Sequence, residues 1–220
     1  MKITFYGHSA VLMEGNGLRI LVDPYLLENP FYSGTLENVG PLDYIFVTHG
    51  HFDHLGDAKA LSELTGAKIV SNPEIVGFLG GGIGMQPSSW INMDGFSFKA
   101  VPASHTSGIP TANGPIYGGE PFGFLFKLDG CTLYHAGDTG LIADMALLKD
   151  ENIDLAMLPV GGFYTMDQKE ALRALDMIGP KAVMPMHYNT FPAIQTDLSA
   201  FKPHVPVFDI RPGETKEFSL

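Results

Sequence analysis

The sequence predicts an α+β fold: two mixed β-sheets packed face to face with helices on both outer faces, in a single domain over residues 1–220. Three features lead there. The chain opens as a meander of short strands, strands and helices then take turns, and the same grammar returns in the second half. With 45% hydrophobic content a chain of this length can bury a large core, and 26 glycines and 16 prolines in no repeating period provide many tight turns between short strands.

Residues 2–6, 10–14 and 18–22 read as the opening strands, with Gly15-Asn16-Gly17 supplying a turn that tolerates positive φ. The apolar run 44–48 delivers a histidine-rich loop, and a helical stretch over about 57–65 leaves it. Residues 68–70 form the next strand. Asn72 then caps a helix with Pro73 at its first position, and Gly80-Gly81-Gly82 ends it. Strands follow at 96–102, 122–128 and 132–134, the last two joined by an Asp129-Gly130 turn. Residues 106–120, rich in Gly and Pro and without periodicity, are a candidate lid. The second half continues with helix 142–149, strand 155–158, helix 168–178 and strand 182–186, and a short strand pair near 207–210 and 215–218 closes the chain.

Against 24 Asp and Glu stand 13 Lys and Arg, a formal charge of −11, and no basic stripe is present to meet a phosphate backbone, so nucleic acid is not an expected partner. The expected partner is a small-molecule substrate, and self-association of the chain is left open. Residues 1–6 carry no secretion signal, and no apolar run approaches the roughly 20 residues needed for membrane insertion. A single cysteine, Cys131, excludes an intrachain disulfide and points to the reducing cytoplasm.

His49, His51, Asp53 and His54 crowd polar groups directly after a buried strand, where desolvation is costly unless something compensates, and a metal ion does so. Alternate residues of an extended segment point the same way, so His49 and His51 reach one cation, and after a turn of the chain Asp53 and His54 reach a second beside it. Imidazole and carboxylate together suit borderline divalent cations, zinc first, with manganese, iron or nickel as alternatives. The plainer reading is a polar turn with solvated histidines. Against it, His105, Asp138 and His187 each follow a predicted strand as well, and strand ends converge on one rim of a sheet.

The order His-x-His-x-Asp-His, a separate His, Gly-Asp-Thr and a last His resembles the metallo-β-lactamase superfamily from end to end of the chain. Gly7-His8-Ser9, Val22-Asp23-Pro24 and the run from Pro185 to Pro192 look like the short metal-dependent hydrolases of that superfamily, related to L-ascorbate-6-phosphate lactonase and N-acylphosphatidylethanolamine phospholipase D. The resemblance implies a four-layer αββα sandwich. It also implies one metal on His49, His51 and His105, another on Asp53, His54 and His187, and Asp138 bridging both.

Two cations about 3.5–4 Å apart share a water and hold it as hydroxide against a carbonyl or phosphoryl centre. The expected activity is hydrolysis of an ester-type bond: a lactone, a carboxylic ester or a phosphodiester. No Gly-x-Ser-x-Gly elbow is present and Cys131 lies in a predicted strand, so water is the expected nucleophile. Asp53 is expected to ligate and to orient it. His8 and Asp23 are candidates to fix the tautomers of ligating histidines, the plainer readings being a structural histidine and a turn-starting aspartate. Tyr188 and Asn189 are candidate donors to a developing oxyanion, unless the tyrosine packs inward. His135 and His204 match no motif role. The alternative activity is an iron-dependent oxidoreductase on the same scaffold; a nuclease lacks the basic surface it needs, and a purely structural metal module favours closed sites of nitrogen and sulfur.

Overall fold

In the computed structural model, which describes residues 1–219, the first half provides β1 (Lys2–Gly7), β2 (Ala10–Gly15), β3 (Leu18–Val22), β4 (Tyr44–Phe46), α1 (Phe52–Leu55), α2 (Ala58–Thr65), β5 (Lys68–Ser71), α3 (Pro73–Leu79) and β6 (Ile83–Gly84). The second half provides β7 (Ile91–Met93), β8 (Phe96–Pro102), β9 (Gly108–Ile109), β10 (Ile116–Tyr117), β11 (Phe122–Leu128), β12 (Cys131–His135), β13 (Leu155–Pro159), α4 (Gln168–Ile178), β14 (Ala182–Met186) and β15 (Glu214–Glu217). One sheet runs β15-β1-β2-β3-β4-β5-β6 and the other β14-β13-β12-β11-β8-β7. Both are mixed: the meander is antiparallel, whereas β3 to β6 and β12 to β14 run parallel.

The period-two alternation of strand side chains explains the stacking. Phe5, Val11, Met13, Ile20, Val22, Phe46 and Val70 enter the core shared with the second sheet. Their neighbours Leu12, Leu21, Ile45, Val47 and Ile69 face the other way and pack with Leu61 of α2 and Ile75 and Leu79 of α3. Phe46 is the hinge pin of the interior, meeting Phe98, Phe124 and Phe126 edge to face at centroid distances of 5.0, 5.1 and 4.8 Å, a geometry worth about 0.5–1.5 kcal/mol per pair beyond burial. α4 buries Ala171, Ala174, Leu175 and Ile178, one stripe at helical spacing, in the same cluster as Leu155 and Val183 of the second sheet. Asn72 and Asp167 cap α3 and α4 by accepting from the backbone N–H groups of Ile75 and Glu170.

Three elements differ from expectation. The helix expected at 142–149 is a 3₁₀ helix over Ala143–Glu151. The closing segments do not pair with each other: Phe208 N–H donates to Val183 O and Val207 bridges Val183, while β15 pairs antiparallel with β1. Each segment thus covers the open edge of a different sheet, where unpaired backbone groups wait for partners. Residues 106–120 are no free lid. β9 and β10 form a hairpin, and Ser107 Oγ accepts from Gly50 N–H and donates to Gly118 O, pinning the segment beside the histidine loop. Gly50 is required there, since a Cβ would stand 2.7 Å from Ile109 Cγ1. Among the described residues no helix is long and apolar enough to cross a membrane.

Candidate metal centre

His8 follows β1, Asp23 follows β3, the segment 49–54 follows β4, and His105, Asp138 and His187 follow β8, β12 and β14. The carboxyl ends of the strands therefore meet on one rim, the side on which open mixed and parallel sheets bind ligands. The backbone is strained at three of these positions: His8, Asp23 and His187 hold φ of 58°, 48° and 53°, a region costing a residue with a side chain about 1–3 kcal/mol. Long-range bonds hold them there. His187 N–H donates to His8 O at 2.7 Å, and Asp23 is engaged by two elements at once.

Two groups of ligand atoms result, joined by a third made of His49, His54 and Asp138. Ring nitrogens of His49, His51 and His105 lie within 4.8 Å of one another, and so do donor atoms of His8, Asp53, His54 and His187. His49 Nε2 and His51 Nδ1 face each other at 3.0 Å. Asp138 touches both groups: its Oδ2 lies 3.0 Å from His187 Nε2 and 3.5 Å from His105 Nε2, and its Oδ1 lies 3.2 Å from His54 Nε2. Asp23 stands behind. Its Oδ2 is 2.7 Å from His54 Nδ1 and accepts from Thr48 Oγ1 at 2.8 Å, while Oδ1 accepts from Thr48 N–H at 2.8 Å. The Thr48 hydroxyl in turn bonds His49 Nδ1 at 3.0 Å. One carboxylate thereby orients His54 directly and His49 through a hydroxyl. His8 spans from Thr190 Oγ1 (2.6 Å from Nδ1) to Asp53 Oδ2 (3.1 Å from Nε2).

The protein alone leaves this cluster incomplete. His54 Nε2, Asp138 Oδ1 and His187 Nε2 are buried and, although His54 and His187 face Asp138 at 3.2 and 3.0 Å, none of the three makes a hydrogen bond, a deficit of about 1–3 kcal/mol for each such group. Bound divalent cations would satisfy all three, and a set of imidazoles and carboxylates is the set such cations take. Protonation states fit as well. Burial, reinforced by His187, pushes His8 down to about 4. Burial also lowers His49, well below the usual imidazole value, and lowers His51 and His105, leaving neutral rings with lone pairs to give. Burial opposes ionisation of Asp53 and Asp138, but His8 and His54 hold Asp53 at about 2, and His187 and His54 hold Asp138 well below the carboxylate range. His54 goes the other way: against the cost of burial, Asp138 and Asp23 raise it well above the usual value, so it carries a proton that a cation would displace.

Above the centre lies a cavity of about 690 Å³ whose floor includes His51, Asp53, His105, Asp138 and His187. Its walls are Phe52, Thr106, Tyr164, Phe191, Pro192 and Ala193. Tyr188 and Asn189, expected as oxyanion donors, do not line it. Tyr188 packs beside Phe5 and borders a separate cavity with Leu198, Phe201 and Phe208, and Asn189 Oδ1 accepts from Thr196 N–H, tying down the loop after β14. The cause is local: His187 and Asn189 both adopt positive φ, so the chain turns sharply after the ligand and carries its neighbours away from the rim. His135 is a satisfied core residue, Nε2–H donating to Ser9 O and Nδ1 accepting from Gly137 N–H. His204 is exposed, 3.5 Å from Asp176. Thr48, Tyr164 and Phe52 carry no signal in the sequence, because hydroxyls and aromatics are too common for their spacing to mark them, whereas Thr190 and Phe191 lie in the run Pro185 to Pro192 without a role that the run itself assigns.

A sandwich of two mixed sheets with a His/Asp rim defines a class, and comparison agrees. The family described as a beta-lactamase superfamily domain matches residues 2–187. The chain belongs to the metallo-β-lactamase superfamily, within its UPF0173 metal-dependent hydrolases. A UPF0173 metal-dependent hydrolase of Pelotomaculum thermopropionicum is 42% identical over 229 residues, covering 99% of this chain and all (100%) of that one. One of Staphylococcus aureus is 40% identical over 230 residues with the same coverage. Among solved structures, Igni18, a metallo hydrolase from the hyperthermophilic archaeon Ignicoccus hospitalis, superimposes with a TM-score of 0.87 at 38% identity over 99% of each chain.

Proposed function

We propose that this protein hydrolyses an ester-type bond of a small molecule at a pair of divalent cations, zinc first among them. The observation that carries this reading is the double cluster joined by Asp138, with buried ligand atoms left unpartnered beneath an open cavity. His49, His51 and His105 would hold one cation, Asp53, His54 and His187 the other, and Asp138 both. Such a pair would supply a water acidified near neutral pH and Lewis-acid polarisation of the scissile oxygen. The remaining work falls to the chain. Asp23 keeps the proton of His54 on Nδ1, so that Nε2 is free to ligate. His8, braced by Thr190, orients the Asp53 carboxylate and acts as a positioning residue. His51 and His105 are only partly buried, so the centre stays open towards substrate as a closed structural site does not. Cys131 does not line the cavity, and the Thr106 hydroxyl that does lies 3.2 Å from His51 Nε2, a ring expected to be held by a cation and so not free to act as its base. A single cysteine fits work in the reducing cytoplasm.

The test is reconstitution of metal-free protein with zinc, manganese, iron or nickel, assayed against lactones, carboxylic esters and phosphodiesters. Two cations per chain are expected, and turnover in ¹⁸O-labelled water should place the label in the acid product within a single turnover. Metal content near zero after supplementation, or a covalent acyl or phosphoryl adduct on a side chain of competent enzyme, would overturn the proposal.

A further inference from the structure

We infer that the substrate is uncharged and apolar around its scissile bond, a carboxylic ester or lactone with an aliphatic or aromatic group, and not a phosphodiester or phosphorylated compound. This rests on the hydrolase reading above and narrows it.

The walls of the cavity carry the argument. Phe52 and Tyr164 remain 49% and 54% exposed at its mouth, although rings of that size are normally covered. Phe191 is held between Phe52 and the interior, its centroid 6.0 Å from Phe52, 6.2 Å from Tyr25 and 5.3 Å from His8, so this part of the apolar wall is built before any ligand arrives. Pro192 and Ala193 continue it with no polar side-chain atom. Of the 13 lysines and arginines, none lines the cavity. Recognition of a phosphate ordinarily depends on such cations, bidentate arginine above all.

The charge balance of the centre points the same way. With two divalent cations bound, Asp23, Asp53 and Asp138 would offset three of their four positive charges and an acidified water the fourth. An anionic substrate would find no net attraction there, on a chain of formal charge −11.

Two measurements test the inference. In zinc-loaded enzyme, p-nitrophenyl esters from acetate to hexanoate are compared with p-nitrophenyl hydrogen adipate, which matches hexanoate in reactivity and length but ends in a carboxylate. kcat/KM should rise up to about 4-fold per methylene, the equivalent of about 0.8 kcal/mol, and the adipate should fall at least tenfold below the hexanoate. Ala193→Lys should narrow that gap. In metal-free protein, 2-nonanone, a neutral and uncleavable stand-in for an alkyl ester, should bind by calorimetry, several-fold more weakly in Tyr164→Ser. If esters are cleaved without chain-length preference, or the adipate equals or exceeds the hexanoate, the substrate class is wrong although hydrolysis stands. If phosphodiesters are cleaved at full metal occupancy and esters and lactones are not, the substrate class is likewise wrong although hydrolysis stands; if none of the three is cleaved, the hydrolase reading fails and the ketone decides, its Tyr164-dependent binding supporting an apolar ligand and its failure to bind overturning one.

Discussion

Asp23→Asn is the sharpest perturbation of the metal centre, because it preserves size and changes only which atoms can accept. Asp23 now accepts from Thr48 N–H and Thr48 Oγ1 and pairs with His54 Nδ1 at 2.7 Å. In the variant the amide oxygen can keep the Thr48 N–H, but the amide nitrogen then faces His54 and the Thr48 hydroxyl and can only donate. His54 Nδ1 must become an acceptor, which moves the ring proton to Nε2, the atom 3.2 Å from Asp138. A protonated Nε2 cannot ligate. Loss of such an outer partner weakens metal binding about 10- to 100-fold, or about 1.4–2.7 kcal/mol. The cation on Asp53, His54 and His187 should bear most of it, and that on His49, His51 and His105 less, since His49 feels Asp23 only through Thr48. Competition of both proteins against a zinc chelator resolves the two affinities, and circular dichroism of the metal-free forms checks that the fold survives. Two cations bound by a folded variant with the parent's affinities would refute the assignment of Asp23.

Asp138→Ala should lower occupancy of both cation sites in elemental analysis, because the Asp138 carboxylate contacts both groups, and unchanged metal content would contradict that role; Cys131→Ser should leave activity little altered. Tyr188→Phe should leave kcat and KM close to the parent's, since the ring borders a different cavity, whereas a loss of about 10²–10³ in kcat would restore it as an oxyanion donor. In metal-free protein stability should fall as pH drops below neutrality. The unfolded chain protonates His8 near 6.5 but the folded chain only near 4, so stability present above 6.5 is lost on the way down, by about 3 kcal/mol at 1.36 kcal/mol per pH unit. His49, His51, His105 and His135 act in the same direction, and His54, whose value is raised, opposes them by adding stability below 6.5 that is lost as pH rises through its folded value. Urea midpoints of chelator-treated protein between pH 7 and 4 measure the sum, and a midpoint that rises on acidification would contradict this balance.

The sequence by itself determined what depends on near neighbours. Strand and helix positions were legible in alternation and in turn and cap residues: β8 and α4 occupy the expected residues, Asn72 caps α3, and Asp129-Gly130 turns at positive φ. The clustering of His49, His51, Asp53 and His54 was legible for the same reason, as their spacing is itself the geometry of an extended segment entering a turn. Tertiary structure decided whatever joins distant segments. His8 meets Asp53 across 45 positions and Thr190 across 182, contacts that exist only because both sheets end on one rim. Tyr188 and Asn189 follow a candidate ligand in the chain yet leave the cavity, because positive φ at His187 and Asn189 bends the backbone away, and nothing in the residue types announces that bend. The apolar wall draws Phe52, Tyr164 and Phe191 from three separate segments. Burial of their individual apolar character is a local tendency, but their meeting above the carboxylates is set by how the two sheets stack, and stacking is a property of the whole core.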